Sequence, residues 1–154
     1  MSVKQTILVL TDFSKGAERA AIFALQLAVS NKTDLLLYNS VIRAEAETNI
    51  FDPVKRLSPD EDVDSKRKQS RGLLFHLSTQ LKATLTAAQQ SRIYIGYEEG
   101  MGSVTETIMN LVTTNDIWMV VMGNRVNKEL TNAFFDSNVP SVINNCGCPV
   151  LLVP

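Results

Sequence analysis

A doubly wound, Rossmann-like α/β fold around a five-stranded, mostly parallel sheet is what this chain of 154 residues predicts. Three observations carry the prediction. Five short apolar runs, several of them rich in β-branched residues, are spread along the chain. Stretches of helical period lie between them, giving the order β-α-β-α-β-α-β-α-β. Parallel crossovers of that kind are right-handed and place helices on both faces of the sheet. No internal repeat, low-complexity tract or second composition appears, so residues 1–154 read as one domain.

The elements follow in order. Ile7 to Leu10 is a continuous apolar run that ends at Thr11-Asp12 and reads as a strand buried on both faces. Ser14 then caps a helix on which Ala17, Ala20, Ala21, Ala24, Leu27 and Ala28 share one face. Small residues there allow the helix close to a sheet. Asn31-Lys32-Thr33 breaks the pattern, and Asp34 to Val41 is the second strand. Residues 42–60 hold Pro53, Pro59 and several charges without a period, and read as a surface excursion. A long helix starts between Ser58 and Asp64, with Leu74, Leu77, Leu81 and Leu85 as its apolar stripe.

Ile93 to Tyr97 is the third strand, and Gly100-Met101-Gly102 the turn after it. Ser103 with Glu106 is a capping-box pattern; Val104, Ile108, Leu111 and Val112 are the buried face of that helix, which ends in 113–116. Ile117 to Met122 is the fourth strand. A loop from Gly123 to Asp136 leads to a short helix capped by Ser137, with Pro140 in its first turn. Pro149 to Val153 is the fifth strand.

Bulk properties exclude several classes of function. Fifteen Lys+Arg against 16 Asp+Glu give a net charge of −1, so no field draws the protein to nucleic acid or to an acidic membrane. The run Ile7–Leu10 is too short for a signal-peptide core or a membrane span. Two cysteines one residue apart form no disulfide framework, which favours a reducing compartment. The cytoplasm is the expected location.

In a doubly wound sheet, ligands bind beyond the carboxyl ends of the strands, where strand order reverses. The turns that matter are therefore Asp12 after strand one, Asn39-Ser40 at the end of strand two, and Gly123 after strand four. Around these points the chain resembles the universal stress protein family. The resemblance lies in Ile7-Leu-Val-Leu-Thr-Asp-Phe-Ser14, in Val120-Val-Met-Gly-Asn-Arg125 and in Cys148-Pro-Val-Leu-Leu-Val153, and it extends over the full length in the same element order. It implies a parallel sheet in the order 3-2-1-4-5. It implies a homodimer, often paired through the last strand, here by Val150 and Leu152. In the ATP-binding branch of the family it also implies a nucleotide site between strands one and four.

That branch carries Gly-x2-Gly-x9-Gly-(Ser/Thr) after strand four. Here Gly123 matches the first glycine, Asn124 and Arg125 fill the variable positions, and Val126 stands at the second glycine. After nine intervening residues, Asn127 to Phe135, Asp136 stands at the third, and Ser137 matches the hydroxyl position. Glycines in such loops adopt positive φ and let the backbone reach phosphates. Val126, being β-branched, is disfavoured at positive φ and puts two methyl groups in the approach path. Asp136 precedes a helix whose N-terminal dipole would otherwise attract phosphate, and it can cap that helix itself. A carboxylate about 5 Å from a phosphate charge costs about 3 kcal/mol at an effective dielectric near 20. That is roughly a hundredfold in affinity.

The expectation is a stress-response or regulatory binding protein, not an enzyme, with ATP binding lost or weakened. Asp12, Ser40, Gly123, Arg125, Val126, Asp136 and Ser137 are the positions of its nucleotide site. Ser40 and Val41 end strand two, where the family often shows a His-Val pair on the adenine side, and Asn39-Ser40 departs from that. Three alternatives stay open. In the first, Asp136 holds Mg²⁺, Arg125 takes a phosphate, and the protein is an ATP-binding switch. In the second, the old pocket, lined by Val126 and Phe134, carries another small molecule. The third is an enzyme of the wider nucleotide-binding α/β group, for which these turns hold no nucleophile–base pair.

Other candidates have plainer readings. His76 stands alone between Leu74 and Leu77 and reads as a helix-surface or packing residue rather than a general base. Cys146-Gly147-Cys148 supplies two thiols, too few for a zinc site, and reads as packing before the last strand. Tyr94 and Tyr97, at odd separation, face opposite sides of a strand and make no aromatic cage. Asp60 to Lys68 reads as a helix start with acids toward its positive end and bases further along.

Overall fold

Each predicted strand forms, and all pair in parallel, in the order β3-β2-β1-β4-β5. The strands are β1 (Thr6–Leu10), β2 (Asp34–Val41), β3 (Ile95–Met101), β4 (Ile117–Gly123) and β5 (Val150–Val153). The computed structural model describes residues 4–41, 59–102, 104–123, 140 and 142–154. Between the strands lie helices α1 (Lys15–Asn31), α2 (Pro59–Ala83), α3 (Ala87–Arg92) and α4 (Val104–Thr114).

Local chemistry sets the ends of α1. The Ser14 hydroxyl oxygen accepts from the Ala17 N–H at 3.1 Å, and Lys32, in the left-handed region at φ 54°, stops the helix. Ala17, Ala20, Ala21, Ala24 and Ala28 are all buried, so the helix lies close on the sheet. Leu25 is buried beside them, while Leu27 only half turns inward.

The sheet divides two apolar cores. On one face Ile7, Val9, Leu35, Leu37 and Ile95 meet the alanines of α1 and Leu74, Leu77 and Leu81 of α2. On the other, Leu8, Leu10, Tyr38, Val120 and Met122 meet Ile108 and Leu111 of α4 together with Val142 and Cys146. β1 is buried on both faces from Ile7 onward, as a central parallel strand requires. Among the described residues no helix is long and apolar enough to cross a membrane.

Three details differ from the expectation. The third strand runs Ile95–Met101 rather than 93–97. Ile93 is bonded back to Gln89 O as the end of α3, and the strand continues through Glu98-Glu99-Gly100 because an edge strand keeps polar residues in water. Gly102, at φ 98°, makes the turn alone. The long helix stops at Ala83, so Leu85 lies past its end while still packing on the core. The short α3 follows, nucleated by a capping box of Thr86 and Gln89 that has no apolar stripe behind it. Residues 142–145 are helical, as expected before β5. The expected caps Ser103 and Ser137, and residues 42–58 of the excursion expected over 42–60, lie outside the described residues, while Pro59 and Asp60 open α2 instead.

Candidate functional site

β1 lies between β2 and β4, and the chain winds away from it in both directions. The crevice expected of such a sheet therefore opens beyond Leu10 and Gly123.

The turn after β1 is held by its own side chains. The Phe13 N–H donates to Thr11 Oγ1 at 3.0 Å, and the Ser14 N–H donates to Asp12 Oδ1 at 2.9 Å. Phe13 sits at φ 64°, a left-handed conformation uncommon for an aromatic residue, while its ring packs on the core. Asp12 is half-buried and aims one carboxylate oxygen at the start of α1.

The end of β2 is also engaged internally. The Asn39 amide donates to Thr11 O at 2.7 Å, and its Oδ1 accepts from Ser70 Oγ at 2.7 Å. Thr11 and Ser70 are both buried. Asn39 thus ties the end of β1 to α2. The Ser40 hydroxyl, also buried, donates to Gly102 O at 3.2 Å. In the sequence Asn39 stood out only as part of the turn that ends strand two, not as a bridge between elements. The signal available was an amide at a strand end opposite a serine on the next helix.

Gly123 has a specific steric role. A Cβ there would stand 3.2 Å from the Gly16 carbonyl carbon and oxygen and 3.4 Å from Ala17 N. The missing side chain lets the first turn of α1 sit against the end of β4. Arg125, Val126, Asp136 and Ser137 lie outside the described residues. Of the predicted positions, the structure therefore places Asp12, Ser40 and Gly123 at the carboxyl ends of adjacent strands.

A charge cluster that sequence reasoning missed lies at the end of β3. Arg71 of α2 reaches Glu99 at 2.6 Å, and Arg67, one turn earlier, at 3.7 Å. The Arg71 hydrogen bond holds the Glu99 carboxyl below the usual range. The i, i+4 arginine pair on a helix that packs on an acidic strand end was its signal. Nearby, burial pushes the Tyr38 phenol above its ordinary range, partly offset by the adjacent Thr107 and Ser40 hydroxyls.

The remaining candidates have plain places. His76 is exposed on α2. The Cys146 thiol is buried and donates to Cys148 O, and burial raises the Cys148 thiol to about 11. A thiol so raised is a poor nucleophile near neutral pH. Among the described residues no group of three or more His, Cys, Asp or Glu side chains could hold a metal. Tyr94 lies before β3 rather than within it and is exposed, while Tyr97 packs edge-on against Phe75 of α2.

Comparisons with known proteins agree with this architecture. A universal stress protein UspA from Lactobacillus plantarum is 19% identical, with 99% of this chain and 100% of that one covered at a TM-score of 0.73. A universal stress protein in complex with cAMP is 20% identical, with 99% of each chain covered and a TM-score of 0.65. One from Archaeoglobus fulgidus in complex with dAMP is 18% identical, with all of both chains covered and a TM-score of 0.62. No curated protein matches the sequence. The profile of the universal stress protein family matches residues 4–154, and the chain belongs to that family.

Proposed function

We propose that the protein is a cytoplasmic, stress-responsive binding module that acts through association rather than catalysis, as a homodimer joined through β5, with ATP binding lost or much weakened. One observation carries the reading of the site: the polar groups at the carboxyl ends of β1 and β2 are engaged within the chain. An Asp12 oxygen takes the Ser14 N–H, Asn39 is held by Thr11 and Ser70, and Ser40 donates to Gly102. A ligand is left with what these bonds do not use, chiefly the second Asp12 oxygen, or has to displace a partner. The steric bulk of Val126 and the charge of Asp136 act in the same direction. The two free thiols support a reducing location.

The second reading is a site for a smaller adenine nucleotide. It is favoured by the relatives solved with cAMP and with dAMP, which carry one phosphate where ATP carries three.

Calorimetry separates the two. Titration with ATP and Mg²⁺ should show no micromolar binding, and micromolar affinity for ATP would defeat the first reading. Micromolar affinity for AMP alone would establish the second. The double variant Val126→Gly, Asp136→Gly should recover ATP binding by roughly a hundredfold, the size of the charge penalty at Asp136.

A further inference from the structure

The two sheet edges are β5 and β3, and β3 has features that neither the core nor the crevice explains. It is seven residues long and contains neither Pro nor Lys, two common means of blunting an edge. The Leu35 N–H donates to Tyr94 O, which sets the phase of the parallel ladder with β2. In that phase the even-numbered residues of β3 turn both backbone groups toward β2, and the odd-numbered ones turn theirs outward. Among the described residues, the backbone groups that face outward from this edge are therefore those of Ile95, Tyr97 and Glu99.

The side chains beside this open edge differ between the two faces. On the α2 face lies an apolar step, Phe75 against Tyr97 with ring centroids 6.3 Å apart, both exposed. On the opposite face the Tyr94 ring covers Gly96, where a Cβ would stand 3.0 Å from Tyr94 Cε1. Tyr94 is 70% exposed. The exposed carboxylate of Glu98 follows on that same face, and among the described residues it forms no ion pair. An aromatic ring beside a free carboxylate suits a cationic side chain.

We propose that the β3 edge is a docking site for an extended peptide that adds a strand to the sheet, with apolar and basic side chains alternating. A strand exposes successive side chains on opposite faces. The apolar ones then meet Phe75 and Tyr97, and the Lys or Arg ones meet Tyr94 and Glu98. A second copy of this chain fits poorly here: β3 carries no Lys or Arg, and a two-fold ribbon pairing Ile95 with Tyr97 would set each Glu98 against the other copy's Tyr94 rather than against a cation.

The test uses a blocked seven-residue peptide alternating Lys and Val, titrated into the full chain and followed by amide NMR shifts. Saturable shifts at Ile95, Tyr97 and their neighbours are expected, with slowed exchange of the outward amides. A peptide of the same composition with its lysines grouped at one end should bind about tenfold more weakly, because it cannot present one residue type to each face. Glu98→Lys should cost about tenfold for the Lys peptide and bring a gain for an alternating Glu and Val peptide. No saturable binding, equal affinity for the grouped peptide, an affinity unmoved by Glu98→Lys, or shifts mapping elsewhere would each overturn the proposal.

Discussion

The two edges of this sheet meet the same problem, a row of unpaired backbone groups, with opposite side chains. β5 is four residues of Val and Leu, half-buried throughout and without a charge. β3 is seven residues with two glycines, two glutamates and exposed aromatic neighbours. An uncharged aliphatic edge is self-complementary and suits a second copy of itself. An acidic edge with no Lys or Arg of its own gives a second copy no charge to pair and suits a basic occupant. Edge chemistry can thus decide which partner each side of one sheet accepts.

The largest effect is expected at β5. For the proposed β5 dimer, Leu152→Lys should raise the dissociation constant by roughly a hundredfold, since it would place an unpaired charge in an apolar seam. Sedimentation velocity over a concentration series reads this, with urea unfolding of the variant as the control for fold. A dimer that survives the substitution would remove the contrast between the edges.

At β3 the next effect is steric. A Cβ at Gly100 would stand 1.9 Å from Tyr38 Oη and 2.8 Å from Cζ. Gly100→Ala should therefore lower stability by about 1–3 kcal/mol. Tyr38→Phe in the same chain should recover only part of it, because the ring carbon remains close. Urea unfolding measures both, and an unchanged midpoint for Gly100→Ala would show that the strand yields freely.

The smallest effect is electrostatic. The Arg71 hydrogen bond lowers the Glu99 carboxyl from its ordinary value of 4.5. A depressed acid stabilises the fold fully above its unfolded-state value and loses that contribution as pH falls through the folded-state value. Glu99→Gln should thus be less stable than the parent at neutral pH by less than the glycine change, and the gap should close below pH 4.5. A gap that is constant with pH would point to packing instead. Added salt should narrow it, since the arginines are largely exposed.

Much of the fold was legible because buried strands concentrate apolar residues. Ile7–Leu10, Asp34–Val41 and Ile117–Met122 announce themselves in that way, as do the alanines of α1. β3 was harder to bound. Its second half, Glu98-Glu99-Gly100, reads as loop, yet at an edge half the strand faces solvent. α3 buries nothing, so only its Thr86 capping box could have revealed it. At the candidate site, the strand ends read from the sequence put Asp12, Ser40 and Gly123 at the carboxyl ends of β1, β2 and β4, where the structure has them. They did not reveal the local partners of these residues. The contact of Gly123 with the start of α1 joins residues far apart in sequence, and a glycine in a motif does not say which neighbour needs the space.

The bridge from Ser70 through Asn39 to Thr11 has a dynamic consequence. Two hydrogen bonds on one amide tie the middle of α2 to the end of β1, so a movement that carries Asn39 away loosens both. Solvent should reach both segments in a single opening event, and a partner that tugs on α2 will be felt at the first turn of the crevice.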